Sequence, residues 1–238
     1  MEQSMTQNKK LWIPKYSVIP LIFCFLFNSI LYKLAIDITR DWERYDFTTA
    51  LDRIVPVVPS STIIYLGCYI FWVINYILIA TIGKEHFYRF QVADLSSRVV
   101  CFLFYIIVPT TNIRPYVENT GIFENVLNWV WSIDPAANLF PSIHCLVSWF
   151  CYVGIRGQKE VPLWYQRFSL IFAILVCIST QLTKQHYLID IFGGILLAEL
   201  TYYVGKKTRL YEWNQKIFER INQCLGIERM EGGIIETK

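Results

Sequence analysis

Apolar residues occur along this chain in long runs, and the polar residues gather between them. The clearest run, STIIYLGCYIFWVINYILIATIG, covers residues 61–83. About 20 apolar residues cross a bilayer as a helix, and fewer suffice where the polar ends line a cavity. On that basis the pattern predicts six spans, near residues 17–36, 61–82, 94–109, 143–156, 167–183 and 186–205. The fourth is the shortest. The expected fold class is therefore all-α, a polytopic membrane bundle of six transmembrane helices. It forms a single integral domain over residues 1–238, with a core at 107–194 and a tail at 206–238.

The positions of Lys and Arg orient this layout. With the N-terminus in the cytoplasm, sixteen of the 22 basic residues fall inside, among them Lys84, Arg89, Arg98 and the cluster from Lys206 onward. Six fall outside: Lys33, Arg40, Arg44, Arg53, Arg114 and Lys184. The positive-inside bias thus predicts both termini in the cytoplasm.

Composition agrees with a membrane chain. Of 238 residues, 54% are hydrophobic and 17% charged, against about 25% charged in a typical soluble domain. No segment reads as a removable signal peptide, and there is no internal repeat or low-complexity stretch. The seven cysteines show no C-x-x-C pair and sit mostly inside apolar runs, so free buried thiols are expected. In the tail, Trp213, Ile217, Ile221 and Leu225 recur at helical spacing. This stripe suits either the inner membrane surface or packing on the ends of the spans. Between residues 115 and 141 a second stripe, Ile122, Val126, Trp129 and Val130, suits either an interfacial gate for lipid or a short helix packed over the spans.

The polar exceptions carry the chemistry. In LTKQHYLIDIFGG, His186 and Asp190 are four residues apart, on one helical face at the start of the sixth span. Ser142 and His144 open the fourth span in FPSIHC, and Arg114 follows the third in TTNIRPY. The layout puts all of them on the outer side. Ionisable residues within spans are costly and are functional candidates by default. Transfer of a phosphoryl group needs such a set. His186 serves as nucleophile if Asp190 orients its ring and stabilises the imidazolium. His144 protonates the leaving oxygen, Arg114 offers a planar cationic fork to phosphate oxygens, and Ser142 stands at a helix start, where anions are favoured. A buried structural pair would explain the His–Asp spacing alone, and helix-start preferences would explain PSIH alone. Their coincidence on one side points to a catalytic site.

These residues resemble the type 2 phosphatidic acid phosphatase superfamily, whose signature is K-x6-R-P, then P-S-G-H, then S-R-x5-H-x3-D. The match runs from Arg114–Pro115 through Pro141–His144, with Ile143 in place of glycine, to Ser179, His186 and Asp190. The resemblance implies His186 as nucleophile, Asp190 as its partner, His144 as general acid, and Arg114, Ser142 and Ser179 at the phosphate. It implies no metal or other cofactor. The expected partners are a lipid phosphate and the bilayer, with no nucleic acid. The expected place is the plasma membrane, with the site facing outward.

Two departures matter. Ile107 and Thr180 stand where the signature has lysine and arginine, and Lys184 is a nearby candidate to replace the lost charge. A phosphodiester carries one charge rather than nearly two and needs fewer cations. The pattern PSIHC with HYLID also looks like the branch containing inositol phosphorylceramide synthase, in which a headgroup phosphodiester moves between lipids. The acceptor is thus open between water and an alcohol. The rival class is a non-catalytic lipid-binding or transport protein. The intact histidines argue against it, as does the absence of paired halves with broken helices.

Overall fold

The computed structural model describes residues 13–227. Helix α1 runs over Val18–Ile38, with Pro20 in its first turn, where the missing N–H costs no intrahelical bond. A polar loop follows, holding the two-residue strand β1 (Tyr45–Asp46) and the short α2 (Ala50–Ile54). Helices α3 (Thr62–Ile82) and α4 (Lys84–Ile107) form a hairpin separated only by Gly83. Strand β2 (Thr110–Thr111) pairs in parallel with β1, and α5 (Ile122–Ile133) lies in the loop beyond. Then come α6 (Ile143–Val153), α7 (Leu163–Leu182), α8 (Leu188–Lys207) and α9 (Leu210–Cys224). Helix α4 packs against α1 and α8, and α6 against α7 and α8.

Among the described residues, five helices are long and apolar enough to cross a membrane: Lys15–Ile38, Pro59–Ile82, Lys84–Ile107, Leu163–Leu182 and Leu188–Lys207. The chain is a multi-pass membrane protein, but the fourth expected span, at 143–156, is only the 11-residue α6. At 1.5 Å per residue it covers about 16 Å, roughly half of a bilayer's hydrocarbon core. The segment before it is anchored inside the bundle, where the Tyr105 hydroxyl donates to the Pro141 carbonyl at 2.8 Å.

The third span also differs from its expected start at residue 94. It begins at Lys84, ten residues earlier, which places Arg98 deep in the helix instead of near its start. Arg98 is 3% exposed, and its Nη2 lies 2.6 Å from Oδ1 of Asp94 one turn earlier. The hydroxyl of Tyr76 also donates to that oxygen, at 2.7 Å. A buried pair of this kind makes two charges tolerable where either alone would be very costly. It removes Arg98 from the count that sets orientation.

All seven cysteines are free thiols, and six are buried. Helix α9 packs on α1 and α4 through a face other than the one expected. Asn214 donates to Gln91 Oε1 at 2.8 Å, and Phe218 meets Phe23 edge-on at 5.3 Å. Asn222 donates to the carbonyl of Tyr16 at 3.1 Å. Trp213, Ile221 and Leu225 stay exposed. Helix α5 divides similarly: Leu127 and Val130 are buried, while Ile122 and Trp129 are exposed. The proposed tail beyond Ile227 lies outside the described residues.

Candidate active site

Three structural features bring distant residues together. Helix α6 is capped at Ser142, whose side chain accepts from the N–H of Cys145 at 3.3 Å. The Ser142 N–H donates in turn to the carbonyl of Asp190 at 3.0 Å, which fastens the start of α6 to the first turn of α8. Gly194 permits this approach: a Cβ there would come within 2.6 Å of the Ser142 carbonyl oxygen and 3.1 Å of the Leu146 nitrogen. The apolar FGG of the sixth span is thus the contact surface that holds His144 beside His186.

The second feature is the loop from Thr183 to Tyr187, which carries His186. The N–H groups of Gln185 and His186 both donate to the Thr180 carbonyl, at 2.9 and 3.1 Å. His186 is 6% exposed. Its Nδ1 lies 3.5 Å from Oδ2 of Asp190, longer than an ordinary hydrogen bond, and finds no other protein partner. That same carboxylate oxygen accepts from the Tyr187 N–H at 2.9 Å, which fixes it in place. Burial opposes protonation of His186, but the Asp190 carboxylate outweighs it and raises the imidazole pKa above its ordinary 6.5.

The third feature is α3, which surrounds His144 with aromatic rings. The hydroxyl of Tyr69 lies 3.2 Å from Nε2 of His144. The His144 ring centroid is 4.6 Å from that of Tyr65, 5.6 Å from Trp72 and 5.7 Å from His186. Together the two histidines line a cavity of about 260 Å³ whose wall also includes Tyr32, Tyr69, Trp72 and Asp134.

The other nominated residues do not line this cavity. Arg114 stands one residue away. Its Nη2 donates to Gln185 Oε1 at 2.6 Å, and its Nη1 to the carbonyls of Trp131 and Asp134 at 3.2 and 2.8 Å. Ser179 turns its hydroxyl back onto the Val176 carbonyl, and Thr180 its own onto that of Cys177, both within α7. Lys184 is buried, and its ammonium donates to the carbonyls of Asp52 and Val55 at 2.8 and 2.6 Å. It is a clamp on the loop. Ile107, at the signature's lysine position, is 71% exposed on α4, whereas Thr180, at its arginine position, is fully buried.

Sequence reasoning missed Asp52, which is 1% exposed. Its Oδ1 accepts from Gln181 Nε2 at 2.6 Å and from the Leu188 N–H at 2.9 Å, gripping both ends of the loop that carries His186. Its Oδ2 accepts from the Thr49 N–H at 2.8 Å and from the Thr49 hydroxyl. All four groups that bond these oxygens are donors, so only a carboxylate satisfies them. Asp52→Asn sets an NH₂ against donors and leaves a buried group unpaired, at a cost of about 1–3 kcal/mol. If His186 is the reacting group, a loosened loop is expected to lower kcat by about 10²-fold, the usual effect of misplacing such a group by an ångström. KM should hardly move. Steady-state kinetics beside a thermal melt in detergent checks this; a fall in stability with kcat unchanged would refute it.

A model of the PAP2 superfamily matches residues 41–204, a segment that includes every residue of the site described above except Tyr32, and the chain belongs to that superfamily. An uncharacterized protein of Methanocaldococcus jannaschii, MJ0662, is 26% identical over 162 residues, which is 67% of this chain and 65% of the relative. The chain therefore spans about two thirds of that relative's length. No solved structure matches.

Proposed function

We propose that this protein is a membrane-embedded lipid phosphate phosphatase or phosphotransferase that works through a phosphohistidine at the outer face of the membrane. The observation that carries the reading is the meeting of His144 and His186, 42 positions apart, as ring neighbours at 5.7 Å on one cavity wall, with Asp190 behind His186. In this reading Nε2 of His186 attacks phosphorus while Asp190 holds the opposite side of the ring. His144 gives a proton to the departing oxygen and takes one from the incoming water or alcohol. Ser142 contributes its helix start. Arg114 acts by fixing Gln185 next to the nucleophile, and serves phosphate oxygens when its guanidinium leaves the two carbonyls.

A second reading, transfer of a phosphodiester headgroup, is favoured by one observation: among the described residues, no Lys or Arg lines the cavity. A dianionic monoester would find little fixed positive charge there. Incubation of purified protein with labelled phosphatidic acid and with labelled phospholipids tests both readings. Free phosphate marks a phosphatase and a new labelled lipid marks a transferase. No turnover of either would remove the proposal.

Because the attacking imidazole must be neutral, activity should rise with pH through the His186 pKa, which lies above 6.5. Asp190→Asn removes the charge that raises it. The acidic limb of kcat/KM should therefore move to lower pH while the plateau falls. A limb that stays in place would mean that another group sets it.

A further inference from the structure

We propose that the cavity beside the two histidines is a headgroup subsite built for an ammonium group, which makes the substrate class a zwitterionic phosphodiester lipid. The proposal rests on the reading that His186 attacks the phosphorus. Among the described residues, Asp134 is the one acidic residue in the cavity wall, and neither Lys nor Arg joins it there. Its carboxylate is held by two tyrosines from different helices: Tyr32 donates to Oδ1 at 2.9 Å and Tyr65 to Oδ2 at 3.1 Å. Arg114 bonds the main-chain carbonyls of Trp131 and Asp134 and the side chain of Gln185, not the Asp134 carboxylate, and lines a separate pocket with Tyr116 and Trp131.

Aromatic faces complete the enclosure. Tyr69 and Trp72 stand edge to face, with centroids 4.9 Å apart, and Tyr32 and Tyr105 are paired likewise at 6.2 Å. All four rings line the cavity. A carboxylate surrounded by tyrosine and tryptophan rings is attractive to a positive charge, through Coulomb attraction and through the negative ring faces. The same surroundings repel a phosphate dianion. A neutral polyol can donate hydroxyls to the carboxylate and bond Asn28, Asn138 and Gln185, but it gains neither charge attraction nor anything from the ring faces.

In the first step the His186 Nε2 lone pair forms the N–P bond, and the P–O bond to the glyceride breaks. That oxygen takes the proton from His144, and the headgroup stays esterified to phosphorus with its ammonium at Asp134. An acceptor hydroxyl then attacks phosphorus, its proton passes to His144, and the N–P bond breaks.

The test separates binding from turnover. Full-length His186→Ala protein in detergent is titrated with glycerophosphocholine, glycerophosphoethanolamine and glycerophosphoinositol at one ionic strength, with tryptophan fluorescence as the readout. Both ammonium compounds should bind about tenfold more tightly than the inositol compound, a difference within reach of a desolvated cation–π contact and a charge pair. Asp134→Asn, added to this background, should abolish the preference. Trp72→Leu leaves both tyrosine bonds to Asp134 in place and should reduce it, so a folding failure of the first variant does not decide the matter. Equal binding of all three compounds, tighter binding of the inositol compound, or a preference that survives both substitutions would overturn the proposal. These binding results do not depend on catalysis. A failure of the phosphohistidine reading would appear instead as undiminished turnover in His186→Ala.

Discussion

His186→Ala should remove turnover altogether, by a factor on the order of 10⁶ if loss of a catalytic nucleophile costs here what it costs elsewhere. The fold should survive. The ring's Nδ1 faces the Asp190 oxygen at 3.5 Å, and that carboxylate keeps its bond from the Tyr187 N–H without it. The loop is held by Asp52, Lys184 and the Thr180 carbonyl, none of which involves the imidazole. Two measurements make the result decisive. Wild-type protein quenched during turnover of a labelled lipid should carry acid-labile label, whereas the variant should carry none. Its thermal melt and detergent elution should match wild type. Near-normal turnover in the variant would end the assignment of His186 as nucleophile.

Much of the site was legible because its spacing is local. Four residues between His186 and Asp190 fix one helical face whatever the rest of the chain does, and PSIH announces a capped helix start with a histidine in its first turn. The apolar runs located the five long helices for the same reason, since length and hydropathy are properties of a segment alone. What escaped was long-range. Tyr65, Tyr69 and Trp72 lie within the clearest apolar run, where their rings look like lipid-facing bulk, and only packing shows that they surround His144. Asp52 is more than a hundred residues from the groups that it joins. Nothing local singles out Asp134, whose two tyrosine partners lie 102 and 69 positions away. Lys184 is a candidate for the lost phosphate charge only through its short distance along the chain from His186, and a solvated loop lysine is the other expectation there. Its positive-φ backbone and its two carbonyl partners direct the ammonium toward the α2 segment instead. Proximity in sequence set where the lysine starts, while hydrogen-bond satisfaction of a buried ammonium set where it points.

His144→Asn should slow turnover of natural lipids by about 10² to 10⁴-fold, the range for a positioned general acid. The asparagine keeps a polar group near the Tyr69 hydroxyl, 3.2 Å from Nε2 in the native site, so the surrounding aromatic wall need not collapse. What it removes is a proton for the departing alkoxide. A glyceride alkoxide is a poor leaving group and depends on that proton, whereas nitrophenolate departs without help. The loss should therefore shrink steeply for a nitrophenyl phosphodiester of matched chain length. If His144 only positioned the phosphate, both substrates would suffer alike, since position does not depend on the leaving oxygen's basicity. Single-turnover rates for the two esters in wild type and variant distinguish these cases, because they isolate attack on the first ester from the later transfer to the acceptor. An equal loss for both esters would reassign His144 from proton donor to phosphate holder. A loss confined to the lipid ester would place the proton on His144, with Tyr65, Tyr69 and Trp72 as the wall that fixes its ring.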